Sequence, residues 1–448
     1  MSIAEKAFQM LQAHALCDNC LGRQFALLGY NVENSDRGKA LKLGLTLEFS
    51  AQVQLNEARA VKGLRVLAVN GFSREASETL RRLKKRLPKQ VKKCFLCEDK
   101  LGLIDLLLSK VLALTASYEY NTFLVGVELP AYVEEREDEF KAMLSVIYGE
   151  SMRHEFCRLL GKAFEAKTGK VVDHYMPDLV VIVNPFTESV RLQVNPLFIG
   201  GRYRKLVRDI PQSKWFCSSC RGRGCGKCNG TGLLYPESVE ALISKPILDA
   251  AEGEKTAFHA SGREDIDALM LGTGRPFVVE VSRPRKRFLD LQKLQEAINA
   301  AAAGKVEVSA LRFTRRDVVR RLKKAEAAQK EYRVLVEFEN EVDEAKLIAA
   351  AEQLSGMVIK QQTPLRVLHR RADLTREKYI YWIKVKKLSP KTAEMQIRCQ
   401  GGLYVKELVS GDEGRTVPSV SSLVGCRAKP LRLDVLKVIV DDVGEVKK

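Results

Sequence analysis

The run Ser261-Gly262-Arg263-Glu264-Asp265-Ile266-Asp267-Ala268-Leu269-Met270-Leu271-Gly272 puts a carboxylate, Asp265, between a basic residue and a glycine-flanked turn. A carboxylate held in this way can act as nucleophile or base toward an RNA base turned out of its stack. Such chemistry needs no organic cofactor. Taken alone, an Arg-Glu-Asp tripeptide is more often a solvated acidic turn. Asp267 lies in the same turn and competes with Asp265 for any catalytic role.

Cysteine spacing is the second chemical signal. Eight of the eleven cysteines form four Cys-x-x-Cys pairs. In an intracellular chain this points to zinc and not to disulfides, because closely spaced thiolates on a tight knuckle can hold one tetrahedral ion. Cys217, Cys220, Cys225 and Cys228 fall within twelve residues, among Gly222, Gly224, Gly226, Gly230 and Gly232, which permit the positive-φ turns of a knuckle. Cys17, Cys20, Cys94 and Cys97 are far apart in sequence. One shared ion would clip the N-terminal helix to the segment after the basic helix near 74–87; two unrelated buried pairs are the alternative. Each set of four would leave a zinc ion no open position, which makes the metal structural. Cys157, Cys399 and Cys426 are unpaired and read as small buried side chains.

Lys and Arg number 74 against 56 Asp and Glu, a net charge of +18. The excess is spread along the chain and favours a polyanionic partner, nucleic acid first. No apolar run approaches the ~18 residues that span a bilayer. The N-terminal Met1-Ser2-Ile3-Ala4-Glu5-Lys6 lacks the blocks of a signal peptide. The expected setting is the cytoplasm, with no membrane, and the expected state a monomer. At 448 residues the chain should hold two to four domains.

The elements that would position these residues follow from periodicity. An amphipathic helix opens residues 1–60, and the basic stretch Arg81-Arg82-Leu83-Lys84-Lys85-Arg86, continued by Lys89, Lys92 and Lys93, is either a solvated face or an RNA contact. Between 105 and 212, the alternating Thr122-Phe123-Leu124-Val125-Gly126-Val127 and the apolar Leu179-Val180-Val181-Ile182-Val183 read as strands between helices. Arg202, Arg204, Lys205 and Arg208 surround Tyr203 and would set phosphate-binding charge beside a stacking ring. Beyond Pro236, strands at 256–260, 277–281, 306–313, 332–338, 379–385 and 393–399 alternate with helices at 290–302 and 315–329. That is an α+β pattern with mainly antiparallel strands.

Four segments together resemble one family. They are the Asp265 run with the following Gly274-Arg275-Pro276-Phe277, Lys330-Glu331-Tyr332-Arg333-Val334-Leu335-Val336, Thr363-Pro364-Leu365-Arg366-Val367-Leu368-His369-Arg370-Arg371, and Gly402-Leu403-Tyr404-Val405-Lys406-Glu407-Leu408 with its continuation to Thr416. All are similar to motifs of the Pus-ten family of tRNA pseudouridine synthases, of archaeal type, and the likeness covers nearly the whole chain. The resemblance implies that Asp265 is the catalytic aspartate, two residues after Arg263 as in sister families. Tyr332 would be the active-site tyrosine, Lys406 or Arg263 the cation that keeps Asp265 ionised, and Val405 and Leu433 apolar walls. Arg366 and Arg370 would help hold the RNA. Residues 195–205 resemble the end of a THUMP domain, which would make Arg202, Arg204 and Lys205 tRNA contacts, and the N-terminal cysteines match a shared zinc module. Four regions follow: a zinc-clipped N-terminal region (1–104), a THUMP-like tRNA-binding region (105–212), a zinc knuckle (213–235) and a catalytic domain (236–448). The implied fold is multidomain α+β: a zinc- and THUMP-containing α/β region, then a mixed, mainly antiparallel synthase domain. The implied activity is conversion of uridine to pseudouridine at tRNA T-loop positions 54, 55 or both, with two structural zinc ions and no organic cofactor.

Overall fold

Strict alternation of buried and half-exposed side chains makes β1 (Thr122–Val127) and β3 (Leu179–Asn184) sheet strands with one face in the core. They pair in parallel, with the short β2 (Val171–Val172) beyond β1 and the antiparallel β4 (Ser189–Val194) beyond β3, in the order β2-β1-β3-β4. The computed structural model describes residues 2–87, 92–324 and 328–439, and of Arg370 the backbone only. It divides into two units, one ending at Asn195 and the other starting at Pro196.

The first unit surrounds this sheet with helices. Ile3–Ala13 starts at a capping box in which Ser2 and Glu5 satisfy each other's backbone N–H groups. The short helix Asp18–Gly22 packs backbone to backbone on the long helix Asn34–Gln52, where a Cβ on Gly38 would lie 2.0 Å from the Asp18 carbonyl oxygen. That approach seats Cys17 and Cys20. One apolar cluster runs from Ala7 through Leu64, Cys97 and Phe123 to Val194, so the cysteine-bearing helices and the sheet share a core. Of the basic run, Arg81 pairs with Glu78 and Lys85 with Glu57. Lys89 lies outside the described residues.

The second unit is built on one large sheet. Its strands are β5 (Leu197–Lys205), β6 (Lys255–Ala260), β7 (Leu269–Ser282), β8 (Val306–Thr314), β9 (Lys330–Phe338), β10 (Val358–Gln362), β11 (Thr375–Ser389), β12 (Thr392–Cys399), β13 (Thr416–Val417) and β14 (Ala428–Val438). The order is β13-β10-β11-β12-β9-β14-β7-β5-β8, with β6 also on β7. Only the β14–β7 contact is parallel; every other pairing is antiparallel. Helices Val239–Ala251 and Leu291–Ala301 complete a core with β5, β7 and β8. Helices Glu344–Leu354, Val405–Ser410 and Val420–Val424 complete another with β9 to β12. The two cores meet where β14 joins β9 to β7.

The α+β class and the antiparallel bias agree with the sequence reading. The strand at 197–205, however, expected at the close of the THUMP-like region, lies between β7 and β8 in the second sheet. Its apolar start continues the pattern of the first unit, and only long-range pairing decides its sheet. β14 is a strand that periodicity did not suggest, since Pro430, Arg432 and Lys437 interrupt its alternation and the ladder slips beside them. The expected helix at 315–329 runs from Arg316 to Lys324. Among the described residues, no helix is long and apolar enough to cross a membrane.

Gly272 marks the parallel junction. It has φ +54°, and a Cβ there would sit 2.1 Å from the Leu436 carbonyl oxygen on β14. Gly272→Ala is expected to lower unfolding stability by about 2–4 kcal/mol, read by chemical denaturation. A variant as stable as the parent would mean that β7 and β14 do not approach this closely.

Candidate active site

The turn that carries Asp265 links β6 to β7, and nearly every polar group behind it is held by the end of β5 and the segment that follows it. Tyr203 Oη donates to the Glu264 carboxylate, 3.1 and 3.0 Å from its two oxygens, and Gln212 Nε2 reaches both Tyr203 Oη (2.7 Å) and the Gly262 carbonyl (3.0 Å). The Lys205 ammonium, fully buried, donates to the carbonyls of Ile210 (2.9 Å), Asp265 (3.2 Å) and Ile266 (2.9 Å). The Asp209 N–H bonds the Ile266 carbonyl at 3.0 Å and Arg208 the Asp267 carbonyl at 2.6 Å. Below the turn, Arg275 Nε meets Glu264 at 2.9 Å and its Nη1 meets the Ser261 carbonyl at 2.7 Å, with both side chains essentially without solvent access. Burial opposes the Arg275 charge, but Glu264 and then the two tyrosines outweigh it and raise its basicity. Burial, reinforced by Glu264, pushes the Tyr203 phenol well above its ordinary range, so it stays a donor. Lys205 moves down, by burial, with Glu264 and Asp267 opposing.

This frame leaves the Asp265 carboxylate on the open side, 37% exposed. Lys406 Nζ and Arg366 Nη1 each lie 3.4 Å from Asp265 Oδ2. Lys406, in helix Val405–Ser410, also bonds Asp267 at 3.0 and 2.8 Å. Arg366, in the short 3-10 helix Leu365–Arg370, donates through Nε to Glu407 Oε1 at 2.6 Å. Burial raises the Asp267 carboxyl, yet Lys406 and Arg366 more than offset it and hold the group below its usual range. Tyr332 is half-buried on β9, opposite Ile397 and Val435, and touches both cores of the sheet. Burial first, then Cys399 and, less strongly, the nearby Asp265 and Glu264 carboxylates push its phenol up, with Arg275 opposing, so it is neutral at physiological pH. Val405 and Leu433 are buried in the adjoining apolar cluster. The arrangement offers a carboxylate on the open side of the turn, two cations each 3.4 Å from one of its oxygens, and a phenol ring near enough to feel its charge.

The structure therefore brings Asp265, Tyr332, Lys406 and Arg366 together, with Val405 and Leu433 behind them. Arg263 turns away, and its guanidinium lies over the Trp215 ring at 5.8 Å. Arg204 pairs with Glu307, and Arg202 donates to the carbonyls of Thr273, Gly274 and Val438. Lys205 spends its donors on backbone, because β5 runs under the turn and not along the first unit. The Arg370 side chain lies outside the described residues. Sequence reasoning passed over Glu264, Arg275 and Gln212, and took Tyr203 for an RNA-stacking ring and not for part of a buried frame. The only available signal was a charged pair eleven positions apart flanking glycine turns, and spacing does not show burial.

Each set of four cysteines converges, with the sulfur atoms of a set all within 4.8 Å of one another. Cys17 and Cys97 are 3.7 Å apart; Cys217–Cys225, Cys220–Cys228 and Cys225–Cys228 are 3.9, 3.7 and 3.7 Å. Zinc–sulfur bonds of about 2.3 Å in a tetrahedron give sulfur spacings of about 3.8 Å, so both donor sets fit zinc. Backbone N–H groups of Cys17, Cys20, Cys225 and Gly232 point at cysteine sulfurs, as thiolate ligands require.

Comparison with known proteins agrees with this architecture. Residues 107–184 match the family described as Pus10 THUMP domain, archaeal, and residues 198–439 the family described as Pus10, C-terminal. A THUMP domain followed by a mixed-sheet catalytic unit makes the chain a THUMP-bearing pseudouridine synthase. A curated protein of Methanocaldococcus jannaschii named tRNA pseudouridine synthase Pus10 is 42% identical over 96% of this chain and 93% of its own. One of the same name from Methanothrix thermoacetophila is 41% identical over 96% and 93%. The chain belongs to the Pus10 family. Among solved structures, a Cbf5-Nop10-Gar1 complex aligns over 45% of each chain with 18% identity and a TM-score of 0.29.

Lys205→Met retains the aliphatic stem but takes a donor from three carbonyls, leaving Ile210 without its partner while Asp265 and Ile266 keep only the backbone N–H groups of Ala268 and Asp209. It is expected to cost on the order of 3 kcal/mol of stability, seen as a lower Tm. A thermal midpoint equal to that of the parent would show that the ammonium does not hold the turn.

Proposed function

We propose that this chain isomerises uridine to pseudouridine in the T-loop of tRNA, at position 54, 55 or both, with Asp265 as the acting carboxylate. The observation that carries the reading is the placement of Asp265 on a rigidly tied turn, 3.4 Å from both Lys406 and Arg366 and beside Tyr332. The reaction breaks the bond between ribose C1′ and uracil N1, turns the base and joins C1′ to C5; C5 gives up its proton and N1 gains one, so nothing is added or lost overall. An anionic oxygen can attack the nucleoside or take the proton at C2′, and either role needs an ionised group in a site from which water is largely excluded. Lys406 and Arg366, each 3.4 Å from Asp265 Oδ2, set two positive charges against it. Tyr332 supplies a flat face for the flipped uracil, worth about 1–3 kcal/mol per base in stacking, and Val405 and Leu433 keep the floor dry.

Family membership supports tRNA as the substrate, and the net charge of +18 suits it. The THUMP domain binds the tRNA through phosphate contacts and the second unit performs the isomerisation. Both four-cysteine sets bind zinc for structure, since four protein ligands leave no position for substrate or water. Catalysis uses no organic cofactor.

Asp265→Asn is expected to abolish pseudouridine formation, measured by nucleoside analysis of a tRNA transcript, while tRNA binding stays within about twofold. Asp267→Asn is expected to retain activity; loss there with a functional Asp265→Asn would move the assignment by two residues. If neither change affects pseudouridine yield, another group does the chemistry and the aspartate assignment fails. Elemental analysis of protein purified without chelator should find two zinc ions per chain, and background metal alone would refute the zinc reading.

A further inference from the structure

We propose that Arg23 is the counter-charge of the N-terminal four-cysteine centre, its buried guanidinium balancing part of the negative charge that four thiolates bring to a bound zinc ion. The inference rests on the reading of that centre as a zinc site. A zinc ion with four thiolates carries two net negative charges, and at this centre water does little to solvate them: Cys20, Cys94 and Cys97 are buried, with exposures of 0, 1 and 0%.

Arg23 follows Cys20 by three residues on unbroken helical backbone, so the two side chains share a face. Its side chain has no solvent access. Nη1 is engaged by the Glu137 carboxylate and by the Glu150 carbonyl at 3.1 Å, while Nε and Nη2 are buried without an acceptor. A guanidinium with two unanswered N–H groups is costly to bury unless something accepts from them. The sulfur one turn back on the same helical face is that of Cys20, itself without solvent access, and it is the acceptor toward which these N–H groups can turn. As a neutral thiol Cys20 is a weak acceptor; as a metal thiolate it is a strong one. Glu137 also has Lys141 at 3.0 Å, so it does not depend on Arg23 alone and leaves cationic charge over for the sulfurs. The knuckle is different. Cys225 and Cys228 are half-exposed there, and Arg221, Arg223 and Lys227 around them are exposed, so water serves in place of a buried cation.

The two centres in one chain supply their own control. Full-length zinc-loaded protein is mixed with excess colorimetric chelator and release of both ions is followed, with Cys225→Ser, which disables the knuckle, identifying the N-terminal phase. In Arg23→Met that phase should accelerate on the order of 10- to 100-fold, the range for loss of a group supporting metal ligands, while the knuckle phase is unchanged. Arg23→Lys, which keeps the charge, should restore much of the slow release. Paired with Glu137→Gln, Arg23→Met leaves no orphaned carboxylate and should still release zinc faster. Unchanged N-terminal release in folded Arg23→Met, or equal acceleration of both phases, overturns the proposal. Absence of any ion from the N-terminal centre defeats the zinc reading instead.

Discussion

The ion pair between Glu264 and Arg275 is the interaction on which the candidate site depends. Removed from water, neither charge is tolerable without the other, and losing one partner of such a pair typically costs about 3–5 kcal/mol. Their contact at 2.9 Å therefore fixes where the turn between β6 and β7 can lie. Asp265 is the next residue, so its position follows from a buried neighbour more than from its own contacts. Tyr203 and Gln212 fill the remaining hydrogen-bonding capacity of Glu264 and the turn, which makes the frame a satisfied network and not a partial one.

Around that frame, charge is arranged in two layers. The buried layer of Glu264, Arg275 and Lys205 is balanced and shape-determining. The outer layer of Asp265, Asp267, Lys406 and Arg366 reaches solvent, with the buried Glu407 anchoring Arg366 from below. Lys406 divides itself between two carboxylates and Arg366 between Asp265 and Glu407, so each cation has an alternative partner. A site organised this way holds its reactive group still while leaving the surrounding charge free to rearrange.

Much of this was legible in the sequence where local pattern and chemistry coincide. The alternation in β1, the apolar run of β3, the cysteine pairs and the motif around Asp265 all announced themselves, because period-2 burial and metal-ligand spacing are local properties. What was hidden is what long-range pairing decides. The segment at 197–205 carries basic residues around a tyrosine, and such a string on a surface would bind phosphate. Inserted between β7 and β8, its alternate side chains go inward, and Tyr203 and Lys205 become the underside of the turn. Arg366 and Lys406 were both named as functional, but that they converge on one oxygen of Asp265 depends on folding of two six-residue helices that no periodicity predicts. Arg263, two positions from Asp265, was the natural partner by proximity in sequence, yet the turn's backbone sends it to Trp215.

The position of β14 has a consequence for how the molecule comes to exist. This strand is later in sequence than every strand it joins, yet it sits in the middle of the sheet, antiparallel to β9 on one side and parallel to β7 on the other. During synthesis, the half-sheet carrying the Asp265 turn and the half-sheet carrying Tyr332 must wait side by side with their inner edges unpaired until residues 428–438 leave the ribosome. Exposed edges of that kind are where newly made chains find wrong partners. Assembly of the reactive centre is thus the last step of making the second unit, and a chain cut short before Ala428 would have both halves of the site with only the surface ion pairs of Lys406 and Arg366, and no strand, to join them.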